Sequence, residues 1–264
     1  MTTATAQTAA FDPLARGYDA DFTDTPVGRA LRDIVWSRAG RLFQPGQRIL
    51  ELGCGTGEDA TRFAHAGISV LGTDMSAEMI EVARRKALLR KCADRATFRC
   101  LSMEDAAASL AGERFHGVFS NFGAINCVPN VAALAADLAP LLVPGAPLLW
   151  IVMGRHVPWE WLWYGARGRL GKATRRLRRR GIEWRGLTVS YPAPKNLAAM
   201  LAPHFRVSRV SPLGCILPPT YAARWLNRSP RILTTLSRLE RAAQRRPSLA
   251  RIADHYILEA RRAG

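Results

Sequence analysis

The feature that most constrains this chain is a glycine-rich turn after an apolar run. Residues 48–59 read RILELGCGTGED, with glycines at Gly53, Gly55 and Gly57. An apolar run that ends in glycines before a helical segment predicts a strand, a tight turn and a helix N-terminus. Glycine lets the backbone approach a ligand closely, and the N–H groups of the helix N-terminus face that ligand. The stretch therefore predicts a nucleotide-like ligand.

The glycine spacing and the residue before the turn narrow the choice of ligand. The dinucleotide fingerprint places its third glycine one residue later than Gly57, so the spacing does not fit NAD. Glu51 lies inside the strand end, where its carboxylate would repel a pyrophosphate and attract an ammonium group. We therefore expect a ligand that carries positive charge.

A second carboxylate follows the next apolar run. Asp74 ends residues 68–74, about 20 residues after the glycines, which is the usual distance for a carboxylate that accepts hydrogen bonds from ribose hydroxyls. The ligand is therefore expected to contain a ribose.

Glu51, the Gly-x-Gly-x-Gly turn and Asp74 together resemble the class I S-adenosylmethionine-dependent methyltransferases of the small-molecule type. The resemblance extends from about residue 11 onward. It implies an α/β fold, with a Rossmann-like seven-stranded sheet that is mostly parallel and has an antiparallel last strand. It also implies S-adenosylmethionine as the cofactor. The expected organisation is a disordered N-terminus over residues 1–10 and a single methyltransferase domain over residues 11–264.

The same resemblance implies positions that bind the cofactor. Tyr18, in a Tyr-Asp pair, matches an aromatic residue that leans over the methionine end of the cofactor, and core packing is its alternative role. Met75 is expected on one face of the adenine, with core filling as the alternative. The expected cofactor-binding residues are Tyr18, Glu51, Gly53, Cys54, Gly55, Thr56, Gly57, Asp74, Met75, Met103, Glu104 and Asn121.

Met103 and Glu104 follow the third predicted strand, residues 96–101. In the family, an apolar residue and a carboxylate at this place hold the adenine ring and its exocyclic amine. In the alternative assignment, Asp105 and not Glu104 is the carboxylate that holds the exocyclic amine.

The turn after the fourth predicted strand, residues 117–120, should face the transferred methyl group, because ligands bind beyond the carboxyl ends of parallel strands. Asn126 in this turn is a candidate substrate contact, with a plain turn residue as the alternative. The turn lacks the Asn/Asp-Pro-Pro-aromatic motif of enzymes that methylate base amines. This weighs against a nucleic-acid amine as the acceptor.

His156 follows the fifth predicted strand, residues 148–153, and is the candidate general base because imidazole exchanges protons near neutral pH. A packed or exposed histidine is the alternative. His204 and His255 begin late strands, where we expect the opposite sheet edge or a structural role.

Two long segments depart from a minimal version of the fold. Residues 158–186 hold an aromatic cluster, and residues 167–185 within them carry nine basic residues against one acidic residue. Residues 212–252 contain an amphipathic helix predicted over residues 231–246. We expect both segments to form helical lid insertions, after strands five and six, that roof the substrate pocket.

Charge and cysteine usage bear on the partners. A formal net charge of +17 attracts polyanions, so an anionic membrane surface, nucleic acid and an acidic partner all stay open. Tryptophans beside arginines are typical of lipid-headgroup surfaces and of base stacking, while an aromatic core under a solvated basic face is the plain alternative. Five scattered cysteines predict neither a disulfide framework nor a metal site.

These observations predict methyl transfer to a small hydrophobic or lipid-like metabolite, through an oxygen, nitrogen or carbon acceptor. The expected location is the cytoplasm, with peripheral binding at the inner membrane face. Nucleic acid is the less favoured partner, and the oligomeric state is left open. The alternatives are an RNA methyltransferase, a noncatalytic cofactor-binding subunit, and a propylamine-transferring relative, which the basic insertions disfavour.

Overall fold

The computed structural model describes residues 10–223, 226 and 228–264, so most of the segment expected to be disordered, residues 1–10, lies outside the described residues. The strands are β1 Arg48–Leu52, β2 Ser69–Asp74, β3 Ala96–Cys100, β4 Gly117–Ser120, β5 Pro147–Met153, β6 Ile182–Trp184, β7 Leu187–Val189, β8 Phe205–Leu213 and β9 His255–Arg262. The α-helices are α1 Pro26–Ala39, α2 Glu58–His65, α3 Ala77–Leu89, α4 Ala106–Ser109, α5 Val131–Leu138, α6 Pro158–Gly165, α7 Leu170–Ala173, α8 Pro194–Leu201 and α9 Pro230–Ala243.

Seven strands form one sheet in the order β3-β2-β1-β4-β5-β9-β8. Strand β9 runs antiparallel to both of its neighbours, β5 and β8, whereas the other described pairs of this sheet are parallel. The α/β Rossmann-like fold expected from the sequence is therefore confirmed. The carboxyl ends of β1, β2 and β4 meet at one edge, which holds the candidate site.

Helices cover both faces of the sheet, so the central strands are buried on both sides. Successive residues of β5 point to opposite faces: Leu149 and Ile151 join one apolar cluster, and Trp150 and Val152 join the other. The helix caps follow the sequence, and the hydroxyl of Ser76 accepts a hydrogen bond from the N–H of Met79 at 3.2 Å.

The first insertion, residues 158–186, is only partly helical. It contains α6, α7, a 3-10 turn at Arg175–Leu177 and β6, which pairs with β7 just beyond the insertion in a separate hairpin. Gly181, at the start of the hairpin, has φ +76°, and a Cβ there would lie 2.4 Å from the carbonyl oxygen of Val189. The chain therefore enters the hairpin at a position that only glycine fits.

The second insertion contains α9, whose Leu233 and Leu236 pack against the apolar cluster that also includes residues of α1. Its Glu240 is fully buried and accepts backbone hydrogen bonds from residues 214–217, among them the N–H of Ile216 at 2.7 Å and the N–H of Gly214 at 2.9 Å. These bonds fix the course of the chain where it leaves β8. Within the part of the chain that the structure describes, no helix is long and apolar enough to cross a membrane.

Candidate active site

The glycine turn between β1 and α2 is built from left-handed backbone. Gly53, Gly55 and Gly57 have φ values of +64°, +52° and +73°. A Cβ at Gly53 would lie 2.4 Å from the Cβ of Ala124, and one at Gly57 would lie 2.8 Å from the Cβ of Ala83. A Cβ at Gly55 would meet no atom within 4 Å, and Gly55 lines a cavity. Gly53 and Gly57 thus allow close packing against neighbouring side chains, whereas Gly55 leaves room for a ligand.

Glu51 lies at the end of β1 behind this turn. Glu51 is 1% exposed and is not among the residues that line the cavity, and its Oε2 has no hydrogen-bond partner within the described part of the chain. Burial raises the pKa of Glu51 well above its ordinary value, and the nearby charge of Asp59 adds to the rise. A buried carboxylate oxygen without a partner is costly, so this position is poised for a donor that the protein itself does not supply.

Asp74 lies at the end of β2 and lines the same cavity. Its Oδ2 accepts a hydrogen bond from the N–H of Gly55 at 2.9 Å, and its Oδ1 accepts one from the N–H of Ser76 at 3.0 Å. Burial raises its pKa, while these backbone donors oppose the rise. Asp74 therefore ties the glycine turn to the start of α3 and keeps lone pairs available to the cavity.

The side of the cavity expected to hold adenine is lined by Met75, Leu101, Met103 and Glu104. Asp105 accepts a hydrogen bond from the hydroxyl of Ser102 at 2.7 Å instead. The sequence left open whether Glu104 or Asp105 faces the ligand. This geometry favours Glu104, because Glu104 lines the cavity and Asp105 does not.

The N-terminal segment closes over the glycine turn. Tyr18 lines the cavity, and burial raises its pKa. Thr56 does not line the cavity: its hydroxyl donates to Asp19 Oδ1 at 2.7 Å and accepts from the ammonium group of Lys86 at 3.1 Å. Cys54 is buried and also lies outside the lining. Thr56 therefore connects the glycine turn to the N-terminal segment, which the sequence did not reveal.

The turn after β4 is held by a buried polar network. Asn121 lines the cavity and donates from Nδ2 to Asp59 Oδ2 at 2.9 Å, and Arg32 is paired with the same carboxylate at 2.5 Å. Phe122 also lines the cavity at φ +44°, an uncommon backbone conformation for a bulky residue. The guanidinium of Arg32 lies 4.9 Å from the ring centroid of Phe122. Sequence reasoning missed Arg32, Asp59 and Phe122.

The two candidate catalytic residues do not line the cavity. His156 is exposed, with its ring 6.3 Å from that of Trp161. Asn126 is fully buried, and its amide donates to the carbonyls of Met153 at 3.2 Å and Ser190 at 2.6 Å and accepts from the N–H of Met153 at 2.8 Å. Its hydrogen bonds hold the segment after β7 against the end of β5.

Of the two expectations for His255, the opposite sheet edge or a structural role, the first is wrong. His255 begins β9 and pairs with Met153, the last residue of β5, so it lies at the ligand-bearing edge and not at the opposite one. The reason is direction: an antiparallel strand starts where its parallel neighbours end. His255 packs against Phe122 with ring centroids 5.6 Å apart.

The cavity has a volume of about 320 Å³ and extends from the glycine turn to the first insertion. There its walls are mostly apolar and aromatic. They are formed by the hairpin of β6 and β7 and by Tyr191, two residues after it: Ile182, Trp184, Leu187, Val189 and Tyr191. The ring of Trp184 contacts that of Phe11 at 5.2 Å between centroids. The hairpin and the N-terminal segment thus meet over the cavity.

Two arginines of the basic run, Arg175 and Arg176, also line this end of the cavity. Arg176 pairs with Asp254 at 2.8 Å, and both arginines pair with the buried Glu160, at 2.5 and 3.1 Å. Burial favours a raised pKa for Asp254, but the charge of Arg176 outweighs it and holds that pKa well below its ordinary value. This paired cluster was not foreseen from the sequence.

The described residues of the second insertion do not line the cavity, but they support the first insertion. The hydroxyl of Tyr221 donates to Glu160 Oε1 at 3.2 Å, and its ring stacks on Tyr164 with centroids 5.6 Å apart. The second insertion therefore supports the cavity wall indirectly. Tyr221 donates a hydrogen bond to Glu160, and Glu160 pairs with the two arginines that line the cavity.

Comparison with known proteins agrees with this geometry. Residues 49–145 match a family model described as a methyltransferase domain. A ubiquinone biosynthesis O-methyltransferase of Xanthomonas campestris pv. campestris (strain B100) is 31% identical over 147 residues, which cover 53% of this chain and 57% of that protein. The chain thus spans little more than half the length of this curated relative.

Two solved structures share the fold across nearly the whole chain. The [4+2]-cyclase SpnF has a TM-score of 0.63 at 16% identity, covering 99% of this chain and 97% of that one. The magnesium protoporphyrin IX methyltransferase of Synechocystis PCC 6803 with bound SAH has a TM-score of 0.61 at 17% identity, covering 99% and 100%. A cyclase and a methyltransferase thus share this fold, which by itself does not define a reaction.

The glycine turn, the two carboxylates and the family match indicate the class of protein: residues 49–145 match a methyltransferase domain, and the site has the features of the class I S-adenosylmethionine-dependent methyltransferases. Within that class, the relative it matches is named an O-methyltransferase. S-adenosylmethionine is the cofactor of the class. Two features of the structure fit this cofactor: the Oε2 of Glu51 lacks a partner, and the space beside Gly55 is open.

Proposed function

We propose that this protein transfers a methyl group from S-adenosylmethionine to a small molecule with an apolar body. The observation that carries the proposal is a single cavity lined by Asp74 and Met103 at one end and by Trp184 and Leu187 at the other. A cofactor and an acceptor in one cavity face each other without intervening chain. The name of the relative supports oxygen among the three acceptor atoms that the sequence left open.

The residues of the first end would hold the cofactor. When bound, S-adenosylmethionine supplies an activated methyl group. Asp74 would accept hydrogen bonds from the ribose hydroxyls, and Met75 and Met103 would contact the adenine. Glu51 would attract the amino group of the methionine moiety, because its buried charge is stabilised by a positive partner.

The residues of the second end would orient the acceptor and exclude water, which is the main demand of methyl transfer on a protein. Cys127 and Tyr191 line this part of the cavity. Burial raises the pKa of both side chains, that of Cys127 to about 11, so neither is ready to take a proton from the acceptor at neutral pH. The proposed mechanism therefore relies on alignment and on an acceptor that is nucleophilic in its own right.

The test is transfer of label from methyl-labelled S-adenosylmethionine to an extract of the protein's own host. Label is then counted in organic, small aqueous, RNA and protein fractions. The proposal predicts label in an extractable small molecule, and much less label with the Asp74→Ala variant at the same cofactor concentration. Label in RNA would favour the RNA methyltransferase, and cofactor binding without transfer to any fraction would favour the noncatalytic subunit.

We further propose that the outer side of the first insertion binds an anionic membrane surface, which would deliver a hydrophobic acceptor. Leu162 and Leu170 are each 68% exposed and Trp161 is 37% exposed. Exposed cations lie close to them in the chain, among them Arg167, Arg169 and Lys172. We call these six residues the outer roof face. Apolar side chains beside arginine and lysine suit the boundary between headgroups and acyl chains.

A further inference from the structure

The acceptor end of the cavity contains two adjacent arginines that carry unused hydrogen-bond donors. Arg175 and Arg176 lie in the 3-10 turn Arg175–Leu177, and both line the cavity. Arg176 is 6% exposed, whereas Arg175 is half-buried. The Nε atoms of both side chains are buried and have no hydrogen-bond partner among the residues that the structure describes. Buried guanidinium donors are nearly always satisfied, so a partner from outside the protein is indicated.

The other donors of Arg176, and the Nη2 donor of Arg175, are engaged by neighbours that fix their positions. Arg176 donates to the carbonyls of Gly154 at 3.2 Å and Asp254 at 3.1 Å, besides its two carboxylate partners. Arg175 donates through Nη2 to Glu160. The donors are therefore preorganised and cannot turn away to find other partners.

The charges of this cluster decide which kind of anion it suits. Arg175 and Arg176 bring two positive charges, and Glu160 and Asp254 bring two negative charges. The cluster therefore offers hydrogen-bond donors without surplus positive charge. A singly charged carboxylate fits such a site better than a dianionic phosphate, which would need two uncompensated cations.

We infer that the acceptor molecule carries a carboxylate on its apolar body, and that Arg175 and Arg176 select it by hydrogen bonds to that carboxylate. The inference rests on the proposed function, since it takes the roofed end of the cavity as the acceptor site. The apolar walls at Ile182, Leu187 and Val189 would hold the body of the same molecule.

The test compares three matched probes by calorimetric titration of the full chain saturated with S-adenosylhomocysteine: 2-naphthoate, the neutral 2-naphthamide, and 2-naphthyl phosphate. We expect 2-naphthoate to bind at least about tenfold more tightly than the amide. Equal binding of the acid and the amide, or no binding of either, would overturn the inference. Tighter binding of the phosphate than of the carboxylate would overturn the assignment to a monoanion.

Arg175→Met is the informative variant, because Glu160 keeps Arg176 and Tyr221 as partners when Arg175 is removed. It should remove the preference for 2-naphthoate over the amide, by weakening the binding of 2-naphthoate more than that of the amide. Arg178→Met is the matched control, since Arg178 is exposed and the change in charge is the same. An unchanged preference in Arg175→Met would contradict the inference.

The saturation step separates two failures. If S-adenosylhomocysteine binds but the probes are not discriminated, the carboxylate inference fails and the proposed methyl transfer stands. If S-adenosylhomocysteine does not bind to the wild-type chain, the proposed function itself fails. The titration of S-adenosylhomocysteine also shows whether Arg175→Met is folded.

Discussion

At the scale of single residues, Glu51 connects stability to function. Its burial places a carboxyl group where the protein provides no donor for Oε2. Such a residue is unfavourable in the empty protein and favourable once a positively charged ligand arrives. Functional sites often contain residues of this kind, which lower the stability of the empty protein but improve ligand binding.

The substitution Glu51→Gln tests this relation through pH. Folding raises the pKa of Glu51, so its contribution to stability is fully present below the pKa of the unfolded chain and is lost as the pH rises through the folded pKa. Glutamine does not titrate. The melting temperature of the cofactor-free chain should therefore increase more at about pH 8 than at about pH 5. Affinity for S-adenosylmethionine should fall at the same time.

Melting curves of the wild type, Glu51→Gln and Glu78→Gln at both pH values measure this effect. Glu78 is exposed on α3 and provides the control. A gain in melting temperature that is the same at both pH values would show that the charge of Glu51 is not the cause.

Asp74 gives a second prediction at this scale. Asp74→Ala removes the expected ribose acceptor and also the partner of the Gly55 N–H. Each lost hydrogen bond to a charged acceptor amounts to about 1.5–3 kcal/mol, so affinity for S-adenosylmethionine should fall by at least about tenfold. Calorimetric titration measures the loss, with Asp105→Ala as the control because Asp105 does not line the cavity. Unchanged affinity would mean that the ribose assignment is wrong.

At the scale of elements, buried ion pairs fix the first insertion to the end of the sheet. Glu160 is 1% exposed and accepts hydrogen bonds from Arg175, Arg176 and Tyr221. Removing one member of such a cluster leaves buried charge without compensation, which is strongly destabilising.

Glu160→Gln should therefore lower the free energy of unfolding by about 3–5 kcal/mol. Chemical denaturation measures this loss, and limited proteolysis should show cleavage within residues 158–186 before the sheet is cleaved. Glu183→Gln, an exposed change on the same insertion, is the control and should have little effect. Equal stability of the two variants would mean that the ion pairs do not hold the insertion.

Some elements were predictable because their signals are local. The turn at Gly53, Gly55 and Gly57 and the cap at Ser76 depend on residues a few positions apart. The polar cluster was not predictable, because Arg176 and Asp254 are 78 positions apart and come together only through the sheet. The hydrogen bond from Asn126 to the carbonyl of Ser190 was not predictable for the same reason, because the two residues are 64 positions apart.

At the scale of the whole molecule, the basic residues behind the net charge of +17 have different roles, because some are buried in ion pairs and others are exposed. Arg32, Arg38 and Arg176 are buried and paired with carboxylates. Composition alone could not separate these structural arginines from the exposed cations of the outer roof face. The distinction requires burial, which depends on the complete fold.

The outer roof face predicts salt-sensitive binding to vesicles. The protein should sediment with vesicles of phosphatidylglycerol and phosphatidylcholine more than with phosphatidylcholine alone, and less as salt rises. Leu162→Glu should weaken this binding. Leu88→Glu is a matched control, because Leu88 is 67% exposed on α3 and Leu162 is 68% exposed. Equal weakening by both changes would contradict a defined membrane-binding face.

The central claim is that one cavity holds the cofactor and leaves its roofed end to the acceptor. A crystal structure of the full chain with S-adenosylhomocysteine tests it most directly. The account predicts the ribose against Asp74, the adenine between Met75 and Met103, and unfilled space below Trp184 and Leu187. Density for the ligand at any other place, or across the roofed end of the cavity, would contradict it.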